Sequence, residues 1–159
     1  MFLKKIFVLC TAWLICLSSA LADNTALAVW ANEAIVATYT YTANDFLSRQ
    51  QDIAYYFTAE GWIAYSQALT TSKLPETILK NAYEVSAVAT LPPHIHEIKA
   101  GQWQAIMPLL VVYKNPSYQQ KQTLEVTLTF IQAPQGQGVR GLAITRLTSK
   151  IIKPACRCP

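Results

Sequence analysis

The sequence predicts an α+β fold in which N-terminal helices pack on one face of a curved antiparallel sheet of about four strands. Three observations predict it. Apolar residues recur at helical spacing up to about Asn81. From Glu84 the period of the pattern drops to two. The stretch Thr123–Ile131 then alternates cleanly, with Leu124, Val126, Leu128 and Phe130 on one side and Glu125, Thr127 and Thr129 on the other. That is a half-buried antiparallel strand with one wet face. A run of helices followed by a run of strands is the α+β order.

Each element follows from local chemistry. Ala26–Thr38 carries Trp30, Ala34 and Ile35 at helical spacing. Thr40-Tyr41-Thr42 favours an extended turn. Asn44 or Asp45 can cap a second helix, whose apolar face is Phe46, Leu47, Ile53, Ala54 and Phe57. Thr58 can cap a third, with Glu60 in the first turn and Trp62, Tyr65 and Leu69 along one side. Gly61 costs that helix about 1 kcal/mol relative to Ala, so something packs closely there. Pro75 suits the first turn of a short fourth helix ending near Asn81. The strands predicted are Glu84–Leu91, stopped by Pro92-Pro93, then Trp103–Tyr113, Thr123–Ile131 and Leu142–Ile152. Pro108 implies a bulge or an edge position for the second of these. Asn115-Pro116-Ser117 is a turn, and the glycines from Gly136 to Gly141 mark a long hairpin loop.

The first residues read as an export signal. Lys4 and Lys5 precede an uncharged apolar stretch, Ile6–Leu17, and then Ala20-Leu21-Ala22, a small-x-small cleavage site. The apolar stretch falls short of the ~20 residues of a spanning helix. The expectation is a signal peptide over residues 1–22, one periplasmic domain over 23–153, and a short tail over 154–159 with Cys156 and Cys158. An uncleaved inner-membrane anchor facing the periplasm is the alternative. Cys10 and Cys16 leave with the signal, and two cysteines one residue apart cannot staple a fold. Cys156-Arg157-Cys158 is also too tight for an unstrained bridge, so an idle pair is the favoured reading over an intermolecular bridge or a soft-metal site.

Composition excludes some partners. The formal charge of +4 falls by two with Lys4 and Lys5, and no basic stripe remains, which argues against nucleic acid. No phosphate loop, nucleophile elbow or zinc-protease motif is present. His94 and His96 would share a strand face, but a tetrahedral metal site takes three or four protein ligands and the spacing supplies no more. No metal and no cofactor is expected. Asp45, Asp52, Glu60 and Glu76 fit helix caps and exposed faces better than acid–base chemistry. The aromatic residues of the helical half are core first. A subunit interface or cleft at Trp30, Tyr55, Tyr56, Trp62 and Tyr65 is the functional alternative, because Tyr and Trp tolerate one wet and one dry end.

The segment Trp30–Leu69, with YFTAEGW at Tyr56–Trp62, resembles the IcmL/DotI family of type IVB secretion components, related to TraM of conjugative plasmids. VSAVAT (85–90), WQAIMPLLVVY (103–113) and GVRGLAI (138–144) fit the same family in the same order. The resemblance implies a nuclear-transport-factor-like cone, as in VirB-type periplasmic assembly factors. It also implies a non-enzymatic interaction role, by self-association or docking to other secretion-system proteins, with membrane contact only if the N-terminal segment stays uncleaved. The short N-terminus departs from the anchored family members, as do the two terminal cysteines. The alternative function is a small-ligand-binding or enzymatic domain using the cone between helices and sheet.

Overall fold

The structure is a computed structural model that describes residues 18–157, with side chains from Asn24 to Lys153. The positive and apolar parts of the predicted signal segment lie outside the described residues, as do Cys158 and the side chain of Cys156.

Among the described residues four helices precede most of the sheet. Helix α1 spans Ser18–Thr38, beginning before the Ala26 expected from the pattern. One stripe of it, Leu27, Trp30, Ala31, Ala34, Ile35 and Thr38, is buried against the sheet. Its last polar group is satisfied locally, since the Thr38 hydroxyl donates to Ala34 O at 2.7 Å. Helix α2 is Phe46–Ala54, α3 is Ala59–Thr71 and α4 is Leu74–Asn81. In α2 only Phe46 and Ile53 are buried. Leu47, expected on that face, is 75% exposed, because its position in the turn points it away from the sheet. Asp45 precedes α2 but caps it with no side-chain bond. Its carboxylate instead accepts from the Thr42 N–H at 2.6 Å and the Thr42 hydroxyl at 3.0 Å, closing the turn before the helix.

The sheet has six strands, not about four. They are β1 (Tyr41–Thr42), β2 (Glu84–Ala89), β3 (His94–Lys99), β4 (Gln102–Asn115), β5 (Tyr118–Gln132) and β6 (Leu142–Arg157). The order is β1-β2-β4-β5-β6, all antiparallel, with β3 also on β4. The two additional strands leave little trace in a hydrophobic pattern. β1 is two residues long, and β3 is mostly polar and exposed.

β4 is central, which corrects the bulge or edge expected from Pro108. Pro108 pairs in register with Glu125 of β5. On its other side β2 ends at the Ala89–Leu109 pair and β3 begins at His94–Ile106. Pro108 faces the gap between them, where its carbonyl accepts from the Thr90 N–H at 3.0 Å. Its missing donor is therefore aimed where no strand needs it. The β4–β5 turn is Pro116-Ser117, held by Asn115 Oδ1 accepting from the Ser117 N–H at 3.0 Å. β6 continues to Arg157, past the expected end at Ile152.

The core fills the concave side of the sheet. Trp30, Ile35, Met107, Leu109, Leu128, Phe130 and Ile144 are among its fully buried side chains. Trp30 lies 5.0 Å from Phe130 between ring centroids, and Trp103 stacks on Phe130 at 5.6 Å.

Candidate functional site at the sixth strand

The motif Tyr56–Trp62 is where the helices meet the sheet edge. Ile144 of β6 donates its N–H to Tyr56 O at 2.7 Å, and its carbonyl accepts from the Thr58 N–H at 2.9 Å. Residues 56–58 thus form a one-residue parallel bridge on the outer edge of β6. Thr58 then caps α3, its hydroxyl accepting from the Gly61 N–H at 3.1 Å. Gly61 is glycine for want of space: a Cβ there would sit 2.5 Å from Ile144 O. Beyond Thr145 the outer edge of β6 has no backbone partner among the described residues.

Beside that edge lies a cleft of about 350 Å³ between α3, the end of α1 and residues 147–149 of β6. Its walls include Tyr39, Tyr41, Tyr65, Leu69 and Leu147. Its polar groups are the phenols and the hydroxyls of Thr38, Ser72, Thr148 and Ser149. Burial pushes the Tyr39 phenol up, with Ser149 at its hydroxyl pulling weakly the other way. Burial raises Tyr41 and Tyr65 as well, and the Gln50 side chain faces the Tyr65 hydroxyl. Neighbouring Tyr113 is pushed up to about 12, again chiefly by burial. A smaller cavity of about 230 Å³, reaching Tyr83, Tyr113 and Gln122, touches the cleft at Leu74. An apolar wall with a few fixed polar groups is the usual makeup of a binding cleft.

Two open grooves flank the middle turns of α1. One, of about 670 Å³, runs past Trp30, Trp103 and Leu142; the other, of about 550 Å³, runs past Val29, Leu91 and Pro92. Glu33 and Arg140 pair between them.

A family model described as type-IV b secretion system, inner-membrane complex component matches residues 11–151. The chain belongs to the DotI/IcmL family. An IcmL-like type IV secretion system protein from Legionella pneumophila subsp. pneumophila str. Philadelphia 1 superimposes with a TM-score of 0.79 at 58% identity, covering 84% of this chain and 96% of that one. The periplasmic domain of DotI gives a TM-score of 0.75 at 30% identity, covering 79% and 94%. A periplasmic fragment of TraM shares the fold, with a TM-score of 0.66 at 18% identity, covering 81% and 97%. No curated protein sequence matches the chain.

Within this DotI/IcmL fold the aromatic residues singled out from the sequence divide. Trp30 is buried, its indole N–H donating to Val139 O at 3.0 Å, with Tyr56 at 6.0 Å. Trp62 and Tyr65 pack with Phe57 at centroid distances of 5.6 and 5.1 Å, and only Tyr65 of the five enters the cleft. Tyr55 stands 72% exposed, away from both groups. Tyr39 and Tyr41 were legible as part of an aromatic-rich stretch but not as partners of Tyr65. Leu147 and Ser149 arrive from β6, and nothing local to them signals a cleft. His94 and His96 both project from the exposed start of β3, and no group of three metal-ligating side chains is present among the described residues.

Proposed function

We propose that the chain is a non-catalytic assembly module of a type IVb secretion apparatus. In this reading it is exported by residues 1–22 and acts in the periplasm through a single domain over residues 23–153. The observation that carries it is the outer face of β4. Ala105, Met107, Leu109 and Val111 face the core with no exposure, yet the alternate residues Ile106, Pro108, Leu110 and Val112 are apolar too. Val88, paired with Leu110, extends the strip and is 55% exposed. An antiparallel sheet with one wet face normally carries polar residues there. An apolar outer strip fits a surface covered by another subunit or component. Trp30, Met107, Leu128 and Phe130 fill the centre of the cone, which supports assembly over an enzymatic cavity there. Among the described residues no helix is long and apolar enough to cross a membrane.

The test is size on a column and chemical cross-linking of the protein from its native host. Self-association or a defined complex is expected, burying at least about 1,000 Å². Val88→Asp should break it. A strict monomer without a cross-linked partner would count against the proposal. Intact mass decides the N-terminal part: a soluble species starting at Asp23 supports export and cleavage, and a full-length species in the membrane fraction supports an anchor.

A further inference from the structure

We infer that the free edge of β6, from Arg146 to Lys153, binds an extended segment of a partner protein as an added strand whose residues are alternately apolar and acidic. The inference deepens the assembly role and rests on it only in supposing that the domain works by binding proteins.

The edge already accepts backbone from outside the ladder. At Ile144 it exchanges both its N–H and its carbonyl with residues 56–58. The chain then turns away into α3 and leaves the following stretch open, roughly 25 Å of strand at about 3.3 Å per residue. An added strand would pair its amides along this stretch and lay alternate side chains on the two faces.

Those two faces differ in chemistry. On the inner side Leu147, Ser149 and Ile151 pair with Leu128, Val126 and Leu124 of β5. Here the tyrosine-lined cleft opens directly beside the edge, and Ile151 is 62% exposed. An incoming side chain on this face is received by apolar surface. On the outer side Arg146, Lys150 and Lys153 pair with Thr129, Glu125 and Thr123. Lys150 is bound to Glu125 at 2.6 Å. Arg146 and Lys153 have no ion-pair partner among the described residues. An incoming side chain on this face meets unbalanced positive charge, so an acidic one fits.

The same charges decide between occupants. Lysines on an edge strand are a common guard against edge-to-edge pairing. A second copy of β6 would bring Arg146, Lys150 and Lys153 against their own kind, which disfavours it. An acidic strand turns that guard into recognition.

The experiment uses the full chain as exported and a capped peptide, Thr-Glu-Val-Glu-Phe-Glu-Val-Thr. Amide and ring NMR signals report the contact site, and anisotropy of a labelled peptide reports affinity. Shifts confined to residues 146–153 and to Tyr39 and Tyr65 are expected. A Glu-to-Lys peptide, and the double variant Arg146→Glu/Lys153→Glu, should each bind on the order of tenfold more weakly, with the effect shrinking in salt. A peptide N-methylated on alternate amides should lose binding. Equal binding by the N-methylated or lysine peptide would overturn the inference, as would shifts confined to the α1 grooves or no binding at roughly millimolar peptide. Loss of peptide binding with the Val88-sensitive assembly intact removes this inference alone. Loss of assembly with peptide binding intact removes the outer-face reading alone.

Discussion

Gly61 lies so close to the Ile144 carbonyl that a Cβ on it would stand 2.5 Å from the oxygen. The obstacle is backbone on both sides, with Thr145 O a further 3.1 Å contact. Neither can swing aside as a side chain can. Gly61→Ala gains helix propensity of about 1 kcal/mol, but it forces α3 off the β6 edge at the bridge that Thr58 and Tyr56 make. Overpacking of this kind costs typically 1–3 kcal/mol. The substitution should lower the urea midpoint, where propensity alone would raise it.

Ala82 offers the reverse case. It ends α4 with φ at 51°, the left-handed region, and Tyr83 N–H closes the helix on Ile78 O at 3.1 Å. An L side chain pays roughly 1–2 kcal/mol there, whereas glycine does not. Glycine's larger unfolded-state entropy offsets part of the gain. Ala82→Gly should stabilise the domain by about 0.5–1 kcal/mol without moving the fold. A lower melting temperature would show that packing of the Ala82 methyl outweighs the backbone strain.

The helices and long strands were legible in the sequence because their signals are local. Thr58 before an apolar turn, Pro75 in a first turn and the alternation of Thr123–Ile131 all reappear as a cap, a helix start and β5. Gly61 announced a close contact but not its partner, since Ile144 lies more than eighty residues along the chain. Pro108 misled for a similar reason. Its missing donor is harmless only because β2 hands over to β3 beside it, and strand order is a tertiary fact. The cleft was half legible: Tyr39, Tyr41 and Tyr65 sit in an aromatic-rich stretch, while its far wall comes from β6. The open edge of β6 was not legible, because strand order decides which strand lies at the edge, and Arg146, Lys150 and Lys153 would suit the wet face of any strand.

Trp30 ties α1 to the β5–β6 loop through its indole N–H on Val139 O at 3.0 Å, while its ring packs on Phe130. Two variants separate the contributions. Trp30→Phe keeps most of the packing and removes one of two donors to Val139 O, the Leu142 N–H remaining at 3.2 Å, so it costs about 0.5–1.5 kcal/mol. Trp30→Ala empties the centre of the core and costs about 3–5 kcal/mol. Denaturation midpoints measure both. A Phe variant as unstable as the Ala variant would mean that the indole's shape, rather than its hydrogen bond, fixes the loop.

The tyrosines make alkaline stability a readout of the cleft. Of the eight tyrosines, Tyr39, Tyr41, Tyr65 and Tyr113 are held above the ordinary phenol range, first by burial. Their folded pKa values are raised, so the unfolded chain releases these protons first. The stability linked to them is complete below the unfolded value of about 10 and is lost as pH rises through the folded values. Tyr113, at about 12, marks the lower part of that window. Asp45 acts at the other end. Its carboxyl is lowered, first by the Thr42 N–H, so its contribution holds above the ordinary carboxylate range and fades as pH falls through its folded value. A tyrosinate absorbance titration should show Tyr39, Tyr41, Tyr65 and Tyr113 ionising late, together with unfolding. Tyr65→Phe should remove one phenol from that late group. If these four phenols ionise while far-UV dichroism stays native, water reaches them and the cleft is open to solvent in the free protein.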